Sequence, residues 1–212
     1  MAFYPCFISF RHFDDEISEA FIKQFVDCLN GYLTPLVGVG PFIDYKRMQA
    51  GYKLSPAIAD AICNSACMIV IWTPQYFTSE HIWCAMEYKA MIDLEKKRLS
   101  LLPGGEQFKG LIIPVIYRGS KYYPSKLADQ EIYLNFEKFG LYEEVMMKNK
   151  KFAEEIEKLA DYIADRIDAF RRNNQNPWGS CNGFQLPSEN DTKQFIQAIT
   201  GVAQNTQAFP FR

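Results

Sequence analysis

Cys67-Met68-Ile69-Val70-Ile71-Trp72 is an unbroken run of apolar side chains, closed by Thr73-Pro74. A strand with one wet face alternates apolar and polar residues, whereas a strand covered on both faces has no need to. The run therefore predicts an interior strand with helices above and below it. Leu111-Ile112-Ile113-Pro114-Val115-Ile116-Tyr117 is a second strand of that kind. Its Pro114 marks a bulge or an edge position, because proline cannot donate to a ladder. Cys6–Phe10 reads as an earlier strand, Pro41–Asp44 as another beyond the Gly38–Gly40 break, and Ile132–Phe136 as a weaker fifth.

Amphipathic segments lie between the strands. Ile17, Phe21, Phe25, Cys28 and Leu29 fall near a 3.6 period, behind Asp14 or Asp15 as a cap and with Glu16 and Glu19 as first-turn acids. Ser55-Pro56 opens a second helix, and a longer one runs from about Ser79 to Lys97 before the Pro103-Gly104-Gly105 turn. The last long helix, near Lys150–Arg172, lines up Phe152, Ile156, Leu159, Ile163, Ile167 and Phe170. This alternation predicts a flavodoxin-like, three-layer α/β sandwich: a central parallel five-stranded sheet with helices on both faces. From about Asn173 the composition shifts to Asn, Gln, Gly, Pro and Ser. Residues 1–172 thus read as the domain and 173–212 as a polar C-terminal extension. One short helix in it, capped around Ser188–Asn190, carries Phe195, Ile196, Ile199 and Val202. Trp178, Phe184 and Phe209 need burial, which favours packing on the domain over docking of a partner.

At 212 residues the chain suits one domain with an appendage. Lys and Arg number 23 against 25 Asp and Glu, so the basic excess of a duplex-binding protein is missing. No apolar run approaches the roughly 20 residues of a membrane helix, and the start has no positive region leading an apolar stretch, so no secretory signal is expected. The six cysteines lie mostly inside apolar segments, as reduced, buried thiols of a cytoplasmic protein would. Cys63 and Cys67 have no second Cys/His pair at zinc-finger spacing, and no metal is expected.

Several chemistries are excluded by missing motifs: the G-x-x-x-x-G-K-[ST] loop, the G-x-G-x-x-G crossover, the G-x-S-x-G elbow and HExxH are all absent. The only histidines are His12 and His81. A phosphoacceptor Asp at the end of the central strand is also missing, which argues against a response regulator. In open α/β sheets, ligands sit outside the carboxyl ends of the strands. Arg11, His12, Asp44, the 45–53 loop, Trp72 and the start of the Ser79 helix gather there. Trp83 and Glu87 stand four apart on that helix and share a face. An aromatic plate and a carboxylate below a basic loop could hold a ribose attached to a flat base; alternatively, Trp83 is core and Glu87 a solvated charge.

Phe7-Ile8-Ser9-Phe10-Arg11, Phe42-Ile43-Asp44 with a basic loop to Ala50-Gly51, Val70-Ile71-Trp72-Thr73-Pro74 and Trp83-Cys84-x-x-Glu87 follow one another in an order and spacing that resemble the TIR (Toll/interleukin-1 receptor) domain. The likeness covers about residues 5–140. The Phe42–Gly51 segment and the W-x-x-x-E spacing are similar to those of NAD-cleaving TIR domains, including stand-alone prokaryotic ones. The resemblance implies an NAD⁺ nucleosidase that releases nicotinamide and leaves ADP-ribose or a cyclic variant. It further implies activation by self-assembly, a role in antiphage defence or signalling, and an effector or activator protein as partner. NAD⁺ is then a substrate, and no cofactor is expected. The resemblance assigns Glu87 to the ribose cation, Trp83 and Phe10 to the nicotinamide walls, and Arg11, Lys46 and Arg47 to the diphosphate or a ribose hydroxyl. Asp44 either binds or caps the loop, Ser79 caps its helix or else touches substrate, and His12 takes a rim position. The competing expectation is a TIR domain that only pairs with other TIR domains.

Overall fold

The computed structural model describes residues 3–43, 54–78, 82–129, 132–139, 148–173, 175–176, 178 and 181–201. Strand β1 (Tyr4–Phe10) runs parallel to β2 (Ser65–Trp72), with Cys6 beside Cys67 and Phe10 beside Ile71. β2 runs parallel to β3 (Ile112–Ile116), which in turn pairs with a two-residue β4 (Leu134–Asn135). All eight residues of β2 are buried, as an uninterrupted apolar run requires. On the other side of β1, the Phe42 N–H donates to the Cys6 carbonyl at 2.8 Å and the Phe42 carbonyl accepts from the Ile8 N–H at 3.0 Å.

The expected strand at Pro41–Asp44 is thus a single parallel bridge at Phe42 among the described residues, and the sheet has four strands where five were expected. Pro41 has no N–H with which to lengthen that ladder, and Asp44 lies outside the described residues. The strand expected at Ile132–Phe136 also shortens: Phe136 is buried but Ile132 is 95% exposed. The Pro114 question resolves as an edge position. Tyr117 N–H donates to Trp72 and Leu111 accepts from Met68, so odd-numbered backbone groups of β3 face β2 and Pro114 faces away. On that side β4 pairs only with Val115 and Ile116, and no donor is needed from residue 114.

Helix α1 (Glu16–Val37) begins where the Asp15 carboxylate accepts from the Ser18 N–H at 2.8 Å and ends at Gly38, whose φ of 82° suits glycine. Ser18 turns inward in its first turn, which leaves Ile17 exposed instead of on the expected apolar stripe. α1 packs on α5 (Lys150–Arg172), whose six expected core residues are all buried. α2 (Leu54–Cys63) packs on α3 (Ile82–Leu99), and the four-residue α4 (Ser125–Ala128) follows β3.

Two contacts fix α3. At its last turn Arg98 is buried and donates to the carbonyls of Ser65 and Cys63, both at 2.6 Å, with burial lowering its pKa to about 10. Residues 84–88 are buried in succession, more than one stripe of a surface helix allows. The second covering layer is α6 (Glu189–Thr200) of the extension, capped by Ser188 and packed on α3. Trp178 meets Phe3 and Phe170 on the way there.

Cys63, the last residue of α2, is bonded to Cys181 across 118 residues of sequence. This corrects the expectation of six reduced thiols: the extension brings Cys181 back to the end of α2, while Cys6, Cys28, Cys67 and Cys84 are buried and take no part in a disulfide. No helix among the described residues is long and apolar enough to cross a membrane.

Candidate active site

The chain leaves β1 for Phe42 on one side and reaches β2 on the other, so the connection reverses direction between β1 and β2. The crevice outside the carboxyl ends of two such strands is where open α/β sheets bind ligands. Ser9, the penultimate residue of β1, is buried there. Its hydroxyl donates to Glu87 Oε2 at 2.5 Å. A hydroxyl has one proton to give, so the 2.6 Å contact between Ser9 Oγ and the Tyr76 hydroxyl is a bond that Tyr76 donates.

Tyr76 sits on the turn after β2, held by its N–H on the Thr73 carbonyl at 2.9 Å. Burial pushes its phenol well above the ordinary range, and the charges of Cys84 and Glu87 add to this, so the phenol keeps the proton it donates. Glu87 is only 7% exposed. Taking a carboxylate out of water is costly unless hydrogen bonds compensate, and the serine supplies one of them.

One helical turn before Glu87, Trp83 is 40% exposed at the rim. Phe10 is buried with its ring 5.0 Å from that of His12, which is exposed, and Arg11 is half-buried between them. Trp72 packs among Tyr76, Phe77 and Tyr123 beneath the crevice. Its Nε1 and Thr73 Oγ1 are buried without a hydrogen-bond partner. Lys46, Arg47 and Ser79, like Asp44, lie outside the described residues.

A TIR domain family profile matches residues 6–146 of the 212. The chain belongs to the TIR domain family. A comparison with curated proteins returns no match. Among solved structures, the TIR domain of the Toll-related receptor TRR-2 from Hydra magnipapillata is 21% identical with a TM-score of 0.41, over 72% of this chain and 98% of that one. The TIR domains of the activated Roq1 resistosome, which directly recognizes the pathogen effector XopQ, are 21% identical with a TM-score of 0.37, over 80% of this chain and 96% of that one. The family assignment rests on the profile match.

In this TIR domain the alternative weighed for the Trp83–Glu87 pair is reversed: the tryptophan is at the surface and the glutamate is inside. Two residues of the site escape the sequence reading, Ser9 and Tyr76. Ser9 leaves a trace, as a lone hydroxyl within the apolar Phe7-Ile8-Ser9-Phe10. Tyr76 leaves none, since an aromatic after a strand reads as core.

Proposed function

We propose that this TIR domain is an NAD⁺ nucleosidase in which Glu87 stabilises the ribose as its bond to nicotinamide breaks. The glycosidic nitrogen of NAD⁺ is already positively charged, so nicotinamide leaves neutral and needs no acid to protonate it. Such chemistry is compatible with a site that has almost no histidine. Positive charge builds on ribose C1′ as an oxocarbenium ion, as in glycoside hydrolysis. A carboxylate fixed beside that carbon interacts most strongly when the charge is fully developed, which lowers the barrier.

The observation that carries this reading is the position of Glu87: an acid withdrawn from solvent, oriented by a hydroxyl, at the carboxyl ends of β1 and β2. Trp83, exposed one turn before it, is assigned to wall the nicotinamide. Phe10 is assigned to the opposite wall and Arg11, Lys46 and Arg47 to the diphosphate, with Asp44 holding or capping their loop. Family membership supports activation through TIR–TIR contacts, a role in defence or signalling, and an effector or activator protein as partner.

The test is nicotinamide release from NAD⁺ by concentrated protein, with and without a crowding agent. Glu87→Gln is expected to lower release by about 100-fold or more, the usual loss of an electrostatic stabiliser. Undiminished release by the variant removes the glutamate from the mechanism. Absence of release from the wild type in every assembly condition favours a scaffold that only pairs with other TIR domains.

A further inference from the structure

We infer that Ser9 and Tyr76 are positioning residues for Glu87, forming a one-directional relay, Tyr76 O–H to Ser9 Oγ and Ser9 O–H to Glu87 Oε2, that keeps the carboxylate ionised and aimed at the ribose. The inference rests on the NAD⁺ reading for its purpose, but its geometry stands independently.

Three elements contribute one group each: a central strand, the turn after its neighbour, and the helix above both. All three groups are buried. Ser9 is fixed in the ladder beside Val70, and the Tyr76 ring is wedged between Trp72 and Phe77 at centroid distances of 6.0 and 4.9 Å. The 2.5 Å bond to the carboxylate is in the charge-assisted range, and a hydroxyl that itself accepts a bond donates a stronger one. Donors to the charged form of an acid favour that form, which opposes the effect of burial.

Among the described residues, Cys84 and Glu87 on α3 and Tyr123 beyond β3 raise the Tyr76 pKa. α6, packed over the same helix, presents the uncharged Phe195 to Tyr88. With the phenol protonated and the single Ser9 proton given to the Glu87 carboxylate, Tyr76 is the donor to Ser9 Oγ.

Ser9→Ala, Tyr76→Phe, the double variant and Ser9→Thr test the relay in the full chain against Glu87→Gln. Two quantities are read: the pH profile of kcat/KM for nicotinamide release, and the titration midpoint of the Glu87 carboxyl carbon by NMR on ¹³C-glutamate protein. Glu87→Gln assigns the resonance. Ser9→Ala is expected to move both midpoints up by about one pH unit, a roughly tenfold loss on the acid limb that narrows as pH rises. Tyr76→Phe should move them less in the same direction. The double variant should match Ser9→Ala, because Tyr76 acts through the serine, and Ser9→Thr should restore the profile.

Rates scaled equally at every pH, with an unmoved carboxyl midpoint, would overturn the relay and leave two packing residues. Absence of nicotinamide release from the wild type in every assembly condition would instead sink the NAD⁺ reading, while the NMR midpoint still judges the relay.

Discussion

Phe195 of α6 lies against Tyr88 of α3, the two rings stacked with centroids 6.0 Å apart. Tyr88 follows Glu87 directly, and Phe195 also meets Phe77, the neighbour of Tyr76, edge-on at 6.2 Å. The extension therefore braces both the helix that carries the acid and the turn that carries the phenol. Truncating a fully buried Phe to Ala costs about 3–5 kcal/mol; for the half-buried Phe195 we expect about 1–3 kcal/mol. Urea unfolding of Phe195→Ala measures it. An unchanged midpoint would show that α6 contributes nothing to the cooperative unit.

Trp83 separates substrate contact from packing. Its exposure predicts that Trp83→Ala changes stability by no more than about 0.5 kcal/mol, as is usual for surface positions. Nicotinamide release should nevertheless fall. Thermal melting and release assays on one preparation decide it: a large drop in melting temperature would return the ring to the core, and intact turnover would remove it from the site.

The Cys63–Cys181 bond restrains the unfolded chain across 118 residues. Losing a native disulfide typically costs about 2–5 kcal/mol. Dithiothreitol should therefore lower the unfolding midpoint of the wild type and leave that of Cys181→Ser where it is. Identical behaviour of the two proteins with and without reductant would mean that the bond is not formed.

Arg166, buried on α5, binds the Glu106 carboxylate and, at 3.2 Å, the Glu106 carbonyl in the loop after α3. The guanidinium hydrogen bond holds the Glu106 carboxyl below its ordinary value, against an opposing desolvation effect. The unfolded chain thus binds more protons than the folded one between the two pKa values. The stabilisation is complete above the unfolded value, about 4.3, and disappears as pH falls through the folded one. Glu106→Gln should be less stable than wild type at neutral pH, with the gap closing as the medium becomes acidic. Denaturant midpoints across that range give the answer, and a gap independent of pH would mean that the carboxylate charge plays no part.

The α5 stripe from Phe152 to Phe170 is readable in the sequence because a helix records its buried face as a period. The same holds for β2, where cover on both faces leaves Ala66–Trp72 without a polar residue, and for the cap of α1, readable as Asp14 or Asp15 and formed by Asp15. Pairings across long separations leave no such record. Ser9 lies 67 residues from Tyr76 and 78 from Glu87, so the contact exists only once β1, the turn and α3 are in place. Six cysteines permit many pairings, and burial in an apolar segment describes the bonded Cys63 as well as the four cysteines outside the disulfide, so it does not reveal the pair. Ile17 and Ile132 show the limit of pattern: both are apolar and both face water, Ile17 because Ser18 takes the inward place in the first turn of α1 and Ile132 because it precedes the two-residue β4.

The sulfur link between the end of α2 and the extension has a topological result. It turns β2, α3, β3, α4, β4 and α5 into one covalent ring. A protease that cuts once anywhere inside that ring opens it without releasing a fragment, so the acid-bearing helix stays tethered to both chain ends until a thiol reductant parts it from one of them.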